Sequence, residues 1–208
     1  MDGFNLYYPI KEHAAETGHD HLKWLNLVSL GARIASARAE DLAGVTYCTA
    51  YRDGDPDGRN RHRLYNSALR HVGVEILLGH YMKEPARACS ACGHSEEKQS
   101  EKQTDINVAL ALFRGAMNDE FDTAYLLSAD SDQAATASHF KQQFPDKNLV
   151  SVAPPNRKHS RKVLEHADAK FTATIELVSA SRFPSVILRQ GQNPIRCPRE
   201  YDLPPRDN

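Results

Sequence analysis

Short apolar runs alternate with longer segments of helical periodicity along most of this chain. This alternation favours an α/β fold with a mostly parallel sheet, since helices connect and cover parallel strands. In the third helical segment Ile106, Leu110, Phe113 and Met117 recur on one face. The predicted strands are residues 45–50, 74–78, 124–128 and 149–152, and the predicted helices are residues 20–38, 60–71, 105–118, 131–144 and one from about residue 161.

Two segments interrupt this alternation. Arg52–Arg59 is rich in Asp, Gly and Pro, which predicts an exposed loop between a strand and a helix. His80–Thr104 holds a cysteine pair and is too long for a plain connection. We therefore predict one domain over residues 1–182 with a cysteine-containing insertion around 80–104, and a Pro-rich, extended C-terminal extension over 183–208.

Composition limits the classes of protein that this chain can represent. Its 208 residues suffice for one substantial core, and 26 Lys and Arg residues nearly balance 27 Asp and Glu residues. Any nucleic-acid contact must therefore use local basic patches. Four cysteines are too few for a disulfide scaffold, and the sequence holds neither a signal-peptide pattern nor an apolar run near the ~20 residues of a membrane helix. These features predict a cytoplasmic, reduced protein without a membrane partner.

Two aspartates follow a buried-looking strand and precede a helix. Asp130 and Asp132 come directly after the apolar run that ends near Ser128. The carboxyl ends of parallel strands line the usual ligand crevice of an α/β sheet, so both carboxylates are expected there. Ser131 or Asp132 could equally serve as an N-cap of the helix, but capping does not account for two carboxylates.

Further acids are expected near the same edge of the sheet. Asp105 begins the third predicted helix, where a helix-dipole role is the simpler interpretation of that residue alone. Asp2 precedes Gly3, with Asn5 three residues further on. Asp2, Asp105, Asp130 and Asp132 together would repel one another unless a cation intervened, and their hard oxygen ligands suit Mg²⁺ or Mn²⁺. The chemistry predicted for such a cluster is phosphodiester hydrolysis.

Four segments resemble the NYN domain family of PIN-like ribonucleases and follow that family's order: Asp2–Tyr8, Glu97–Ala109, Phe121–Asp132 and Val150–Pro155. The Ser-x-Asp-Ser-Asp strand end is the most specific of them. The resemblance implies a PIN-like, Rossmann-like doubly wound sheet flanked by helices. It also implies a divalent metal in an acidic pocket and endonucleolytic cleavage of single-stranded or structured RNA.

The resemblance also suggests roles for individual residues. Asp2, Asp105, Asp130 and Asp132 match the family's acidic residues and would hold the metal, and Asn5 would orient the first carboxylate, the water or a phosphate. Ser128 and Ser131 match small polar residues that would contact a phosphate. The family carries a full first strand before its Asp-Gly pair, whereas here Met1 directly precedes Asp2. The first strand is therefore expected to be truncated, with exposed sheet edges and a loosened Asp2.

The cysteine pair has the spacing of half a zinc site. Cys89 and Cys92 are separated by two residues, and His80 and His94 of the same insertion would complete a tetrahedral structural Zn²⁺ site. The alternative is a pair of free thiols in a loop.

A basic cluster follows the fourth predicted strand. Arg157, Lys158 and Arg161 would bind RNA phosphates there, although a solvated charged face is an equally good interpretation. The sequence thus predicts a metal-dependent endoribonuclease. A catalytically weak RNA-binding or scaffold module and a hydrolase of other phosphate esters remain as alternatives, and homo-oligomerisation is left open.

Overall fold

The computed structural model describes residues 1–52, 54–84, 92 and 98–203. Helices and strands alternate through this part of the chain. The α-helices are α1 (Gly3–Thr17), α2 (Leu27–Ser36), α3 (Pro56–His71), α4 (Thr104–Met117), α5 (Gln133–Gln143), α6 (Arg161–Leu164) and α7 (Ile175–Ala180). The strands are β1 (Thr46–Thr49), β2 (Glu75–Leu78), β3 (His80–Glu84), β4 (Lys98–Lys102), β5 (Thr123–Leu127), β6 (Asn148–Ala153), β7 (Ala169–Thr172), β8 (Val186–Arg189) and β9 (Gln192–Arg196).

Two parallel half-sheets form the centre of the fold. One consists of β1 and β2, and the other has the order β5-β6-β7. Helix α3 connects the strands of the first half-sheet, and α5 and α6 connect those of the second. The predicted α/β fold with parallel strands and flanking helices is therefore confirmed.

Apolar side chains leave the sheet on both faces and create two cores. Tyr125 and Leu127 of β5 pack into the core that holds Trp24 and the apolar residues of α1, α2 and α3. Ala124 and Leu126 alternate to the opposite face, where Phe140 and the apolar residues of α4 and α5 pack. This period-two alternation requires helices on both faces.

Met1 and Asp2 join the two half-sheets. The Met1 ammonium group donates to the Thr46 carbonyl and the Met1 carbonyl accepts from the Cys48 amide, while Asp2 pairs in parallel with Cys48. On the other side the Asp2 amide donates to the Leu127 carbonyl at 3.0 Å. Asp2 is therefore held from both sides, by β1 and by β5, and the prediction of a loosened Asp2 is wrong.

A cavity of about 910 Å³ lies beside this junction. Residues of β1 and β5 form part of its lining, and α2 and α4 contribute others. Burial lowers the pKa of the Met1 amino group at the edge of this space. The cavity therefore lies in the centre of the fold, between β1 and β5.

Two predicted helices need correction, and one helix was missed. Helix α1 was not predicted, because Gly3 and Pro9 are poor helix residues, but Asp2 caps its first turn. Helix α3 begins inside the predicted loop 52–59, since Pro56 starts it and the Asp55 carboxylate accepts from the Gly58 amide. The predicted helix 20–38 is divided into a 3₁₀ helix (Asp20–Lys23) and α2, which Asn26 caps.

Two antiparallel hairpins lie outside the parallel sheet. Strands β3 and β4 pair within the insertion predicted around 80–104. Strands β8 and β9 pair near the C terminus, where the sequence predicted an extended segment. Ile187, Ile195 and Cys197 are buried in the core that holds Trp24, and the Trp24 indole donates to the Pro184 carbonyl at 3.0 Å. The described part of residues 183–208 is therefore a packed hairpin rather than an extended tail.

None of the helices in the described residues combines the length and the apolar character that a membrane span needs.

Candidate active site

Asp2 lies at the centre of the acidic site and is 2% exposed. Its Oδ1 accepts hydrogen bonds from the backbone amides of Phe4 and Asn5 at 3.0 and 3.1 Å, which makes it the N-cap of α1. Its Oδ2 accepts from the Asn5 side-chain amide at 2.5 Å and from the Ser128 hydroxyl at 3.2 Å. The carboxylate is thus fixed by donors from α1 and from the end of β5.

Asn5 connects the start of α1 with the loop after β5. Its Nδ2 donates to Asp2, and its Oδ1 accepts from the Ala129 amide at 3.1 Å. Both ends of this side-chain amide are therefore used within the protein. The contacts orient the Asp2 carboxylate and hold the loop that carries Asp130.

The loop after β5 is ordered by hydrogen bonds between its own residues. The Ser128 hydroxyl, which is buried, accepts from the Asp130 amide at 3.1 Å while donating to Asp2. The Asp130 carboxylate accepts from the Asp132 amide at 2.9 Å. Because it is buried, the Ser128 hydroxyl positions Asp2 and the loop, and the predicted contact of Ser128 with a phosphate stays a prediction.

Ser131 and Asp132 lie at the surface end of this loop. Both are exposed, and Asp132 is the N-cap residue of α5 without a capping bond from its side chain. The Ser131 carbonyl accepts from the Ala134 amide. Their hydroxyl and carboxylate groups face solvent, where an external ligand can reach them.

Asp105 in the first turn of α4 completes the group of acids. Partial burial raises the pKa of its carboxyl, the negative charge of Asp2 raises it further, and Asp130 and Glu101 add smaller contributions. A hydrogen bond from the Gln133 amide, at 3.2 Å, acts in the opposite direction. Asp2, Asp105 and Asp130 therefore share one electrostatic environment, although they come from three distant parts of the chain.

Gln133 is a site residue that the sequence analysis missed. Its side chain is 1% exposed at the start of α5, with Nε2 directed to Asp105. Its Oε1 is buried and, among the described residues, has no hydrogen-bond partner. The sequence offers only its position directly after Asp132 as a hint, because a neutral amide in a helix does not by itself indicate a functional residue.

The donor set of this site is suited to a hard divalent cation. In the described residues no three His, Cys, Asp or Glu side chains form a ready-made metal cage. Mg²⁺ does not require one, because it binds through one or two carboxylates and keeps several waters. Burial and the negative charge of Asp2 together raise the pKa of the Asp105 carboxyl, and a bound cation would offset both effects.

The structure describes part of the predicted zinc set. The His80 ring shares a hydrogen bond with the Gln103 side chain at 3.1 Å, and Cys92 is an exposed free thiol. Cys89 and His94 lie outside the described residues. The zinc site thus stays a prediction from sequence.

The predicted basic cluster lies in the turn after β6 and at the start of α6. Arg157, Lys158 and Arg161 are exposed. Arg157 forms an ion pair with Glu12 of α1 at 2.6 Å, with side chains 39% and 55% exposed. An exposed pair of this kind contributes little to stability. Because β6 lies next to β5, this turn follows the same carboxyl edge of the sheet as Asp130.

Comparisons with known proteins agree with this architecture. A family model described as the NYN domain matches residues 1–177. Among solved structures, a protein of unknown function from Vibrio parahaemolyticus is similar, with a TM-score of 0.51 and 19% sequence identity over 81% of this chain and 86% of that one. At this identity the similarity shows the fold alone. No curated protein matches this chain.

Proposed function

The chain belongs to the NYN domain family, whose members are typically metal-dependent nucleases, and from this premise we propose that it is an endoribonuclease that cleaves RNA phosphodiester bonds with Mg²⁺ or Mn²⁺. One observation carries the proposal. The Ser128 hydroxyl bonds both the Asp2 carboxylate and the Asp130 amide, and Gln133, at the start of the helix after Asp130, bonds the Asp105 carboxylate. A cluster of carboxylates at this edge is the expected position of a phosphoryl site in an α/β sheet.

Asp2, Asp105 and Asp130 are the residues that would hold the metal, with the exposed Asp132 next to them. When bound, a divalent cation supplies charge neutralisation and a more acidic water. Asn5 and Ser128 keep the Asp2 carboxylate oriented through donors on one of its oxygens. Gln133 positions Asp105 through its amide.

Substrate contact is assigned to groups that reach solvent. Ser131 in the loop after β5 and Arg157, Lys158 and Arg161 after β6 are exposed. Guanidinium groups match phosphate oxygens in geometry and charge, so this turn would bind the RNA backbone. RNA is therefore the proposed partner, with these basic groups as the proposed contacts to its backbone.

The direct test is cleavage of labelled single-stranded and structured RNAs by the wild-type chain and the Asp130→Asn variant, with Mn²⁺, with Mg²⁺ and with EDTA. We expect metal-dependent cleavage that the variant loses, because the amide removes a charge from the cluster while nearly preserving its shape. Asp146→Asn, which changes an exposed aspartate of a surface turn, is the matched control and should cleave like the wild type. Equal rates for Asp130→Asn and wild type would contradict the assignment.

A second candidate is an RNA-binding module with weak or no turnover. The observation that favours it is that the described acids do not form a closed group of three ligands. This candidate predicts RNA retention without cleavage in every metal condition. Single-stranded DNA and nucleotide monoesters, assayed beside RNA, would reveal a hydrolase of other phosphate esters.

A further inference from the structure

A second concave site adjoins the acidic cluster on the face of the sheet covered by α1 and α3. It is a cavity of about 200 Å³, and we call it the aromatic pocket. Residues of α1, β1, α3 and β3 line it. Its principal aromatic and basic lining residues are Tyr7, Tyr8, Tyr47, Arg52, Arg61 and Tyr81.

The aromatic pocket and the acidic cluster meet at the first turn of α1. Gly3 and Phe4 line the pocket, and the Phe4 amide donates to the Asp2 carboxylate at 3.0 Å. Thr49, at the carboxyl end of β1, lines the pocket as well. A chain molecule that occupies the acidic cluster therefore needs to extend by little more than one helical turn to enter the pocket.

Aromatic faces at the mouth of the pocket are open to solvent. Tyr7 is 37% and Tyr8 is 42% exposed. Phe4 stacks against Tyr8 with ring centroids 6.2 Å apart, and its edge meets Tyr81 at 6.1 Å. Phe4, together with Tyr7 at 5.6 Å, fixes the ring of Tyr8 while part of the Tyr8 surface stays exposed, as in sites where unstacked bases bind to aromatic side chains.

The charges around the pocket suit a phosphate backbone. The lining includes the basic residues Lys11, Lys23, Arg52, Arg59 and Arg61 and the acidic residue Asp55. Asp55 uses its carboxylate to cap α3. Arg61 contacts Glu200 at 3.3 Å, and Lys23 contacts Asp20. The lining thus holds five Lys and Arg residues and one acidic residue, which favours a polyanion over a neutral or cationic ligand.

We propose that the aromatic pocket binds one unstacked base of the RNA next to the cleaved phosphodiester, with Tyr8 as its stacking platform. The proposal rests on the proposed function, because it takes RNA as the ligand. The volume supports a single ring system, since pockets that enclose a drug-sized molecule hold roughly 300–1,000 Å³. The pocket thus selects single-stranded RNA, whose bases can leave the stack, over an intact duplex.

The test measures binding and cleavage separately. A fluorescent eight-nucleotide oligouridylate is titrated with the full chain in EDTA, and the titration is repeated with oligonucleotides that carry one abasic nucleotide at each position in turn. Stacking on an aromatic side chain corresponds to a loss between about 5-fold and about 150-fold when it is removed. We expect a loss in this range at one position of the abasic series.

The Tyr8→Ala variant should bind the intact oligonucleotide as weakly as the wild type binds that abasic one, and should no longer distinguish the two. Tyr8→Phe keeps the ring and should retain the difference. Leu188→Ala, which alters a side chain 80% exposed on β8, is a surface control. The abasic series with the wild-type chain needs no variant, so the proposal stays testable if Tyr8→Ala does not fold.

The outcomes separate this inference from the nuclease proposal. Equal affinity across the whole abasic series, or no measurable binding of any oligonucleotide, overturns the base pocket. Base-dependent binding in EDTA without cleavage in Mg²⁺ or Mn²⁺ supports the pocket and contradicts the nuclease. Metal-dependent cleavage with base-independent binding supports the nuclease and overturns the base pocket.

Discussion

His62 gives the protein a pH-dependent stability that can be calculated from the structure. Its ring lies on α3, shares a hydrogen bond with the Thr49 hydroxyl at 3.3 Å and packs edge-on against Tyr51. Burial lowers the pKa of this imidazole from 6.5 to about 4. The folded protein therefore favours neutral His62, whereas the unfolded chain binds a proton below pH 6.5.

The sign and size of the effect follow from this difference in pKa. Between pH 6.5 and pH 4 the unfolded state binds more protons, so the free energy of unfolding falls as the pH falls. With these two pKa values, the contribution of His62 decreases by about 2 kcal/mol between pH 7 and pH 5, and by about 3 kcal/mol at the low-pH limit. Above pH 6.5 His62 makes nearly its full contribution to the free energy of unfolding.

The assay is urea denaturation at pH 7 and pH 5 for the wild type and the His62→Gln variant. Gln keeps a polar group beside Thr49 but does not titrate. We expect the difference in unfolding free energy between the two pH values to be about 2 kcal/mol smaller in the variant than in the wild type. The same pH dependence in both proteins would show that His62 is not the buried neutral imidazole described above.

Two further substitutions test close packing and the acidic site. A Cβ at Gly3 would lie 2.7 Å from the Cys48 carbonyl oxygen, so Gly3→Ala should lower the free energy of unfolding by about 1–3 kcal/mol. The control is Gly44→Ala, which has open space around it and should change this free energy by less than about 0.5 kcal/mol. Urea denaturation measures both values. Asn5→Ala removes the side-chain donor to Asp2 and should reduce metal-dependent RNA cleavage roughly 10- to 100-fold with an unchanged circular dichroism spectrum. An undiminished cleavage rate would refute the positioning role.

Periodicity predicted much of the sheet but not the first helix. Apolar alternation located β1, β2, β5 and β6 to within two residues at each end, because burial on both faces leaves a strong pattern. Helix α1 escaped detection because Gly3 and Pro9 have low helix propensity, and tertiary packing of Leu6 and Ile10 overrides that preference. The β8–β9 hairpin escaped for a related reason, since its core contacts come from residues such as Trp24 that are distant in sequence.

The sequence predicted the site residues that lie at the ends of strands or at the starts of helices. The rule for parallel sheets located Asp130, and the start of a helix located Asp105, but neither pattern gives the distance between them. Gln133 was missed because its role depends on an approach of α5 to α4 that local sequence does not encode. The burial of Ser128 was missed for the same reason, since its hydrogen bond to Asp2 spans 126 positions.

The junction at Met1 and Asp2 connects the local stability of the sheet with the integrity of the acidic cluster. Proteins open locally in units whose free energies lie below that of global unfolding. Parting the half-sheets at this seam breaks the bond from the Asp2 amide to Leu127, and it also withdraws the Asp2 carboxylate from Ser128. A molecule in which this seam is open therefore lacks a complete acidic cluster, and amide hydrogen exchange at Asp2 and Cys48 would measure how often it opens.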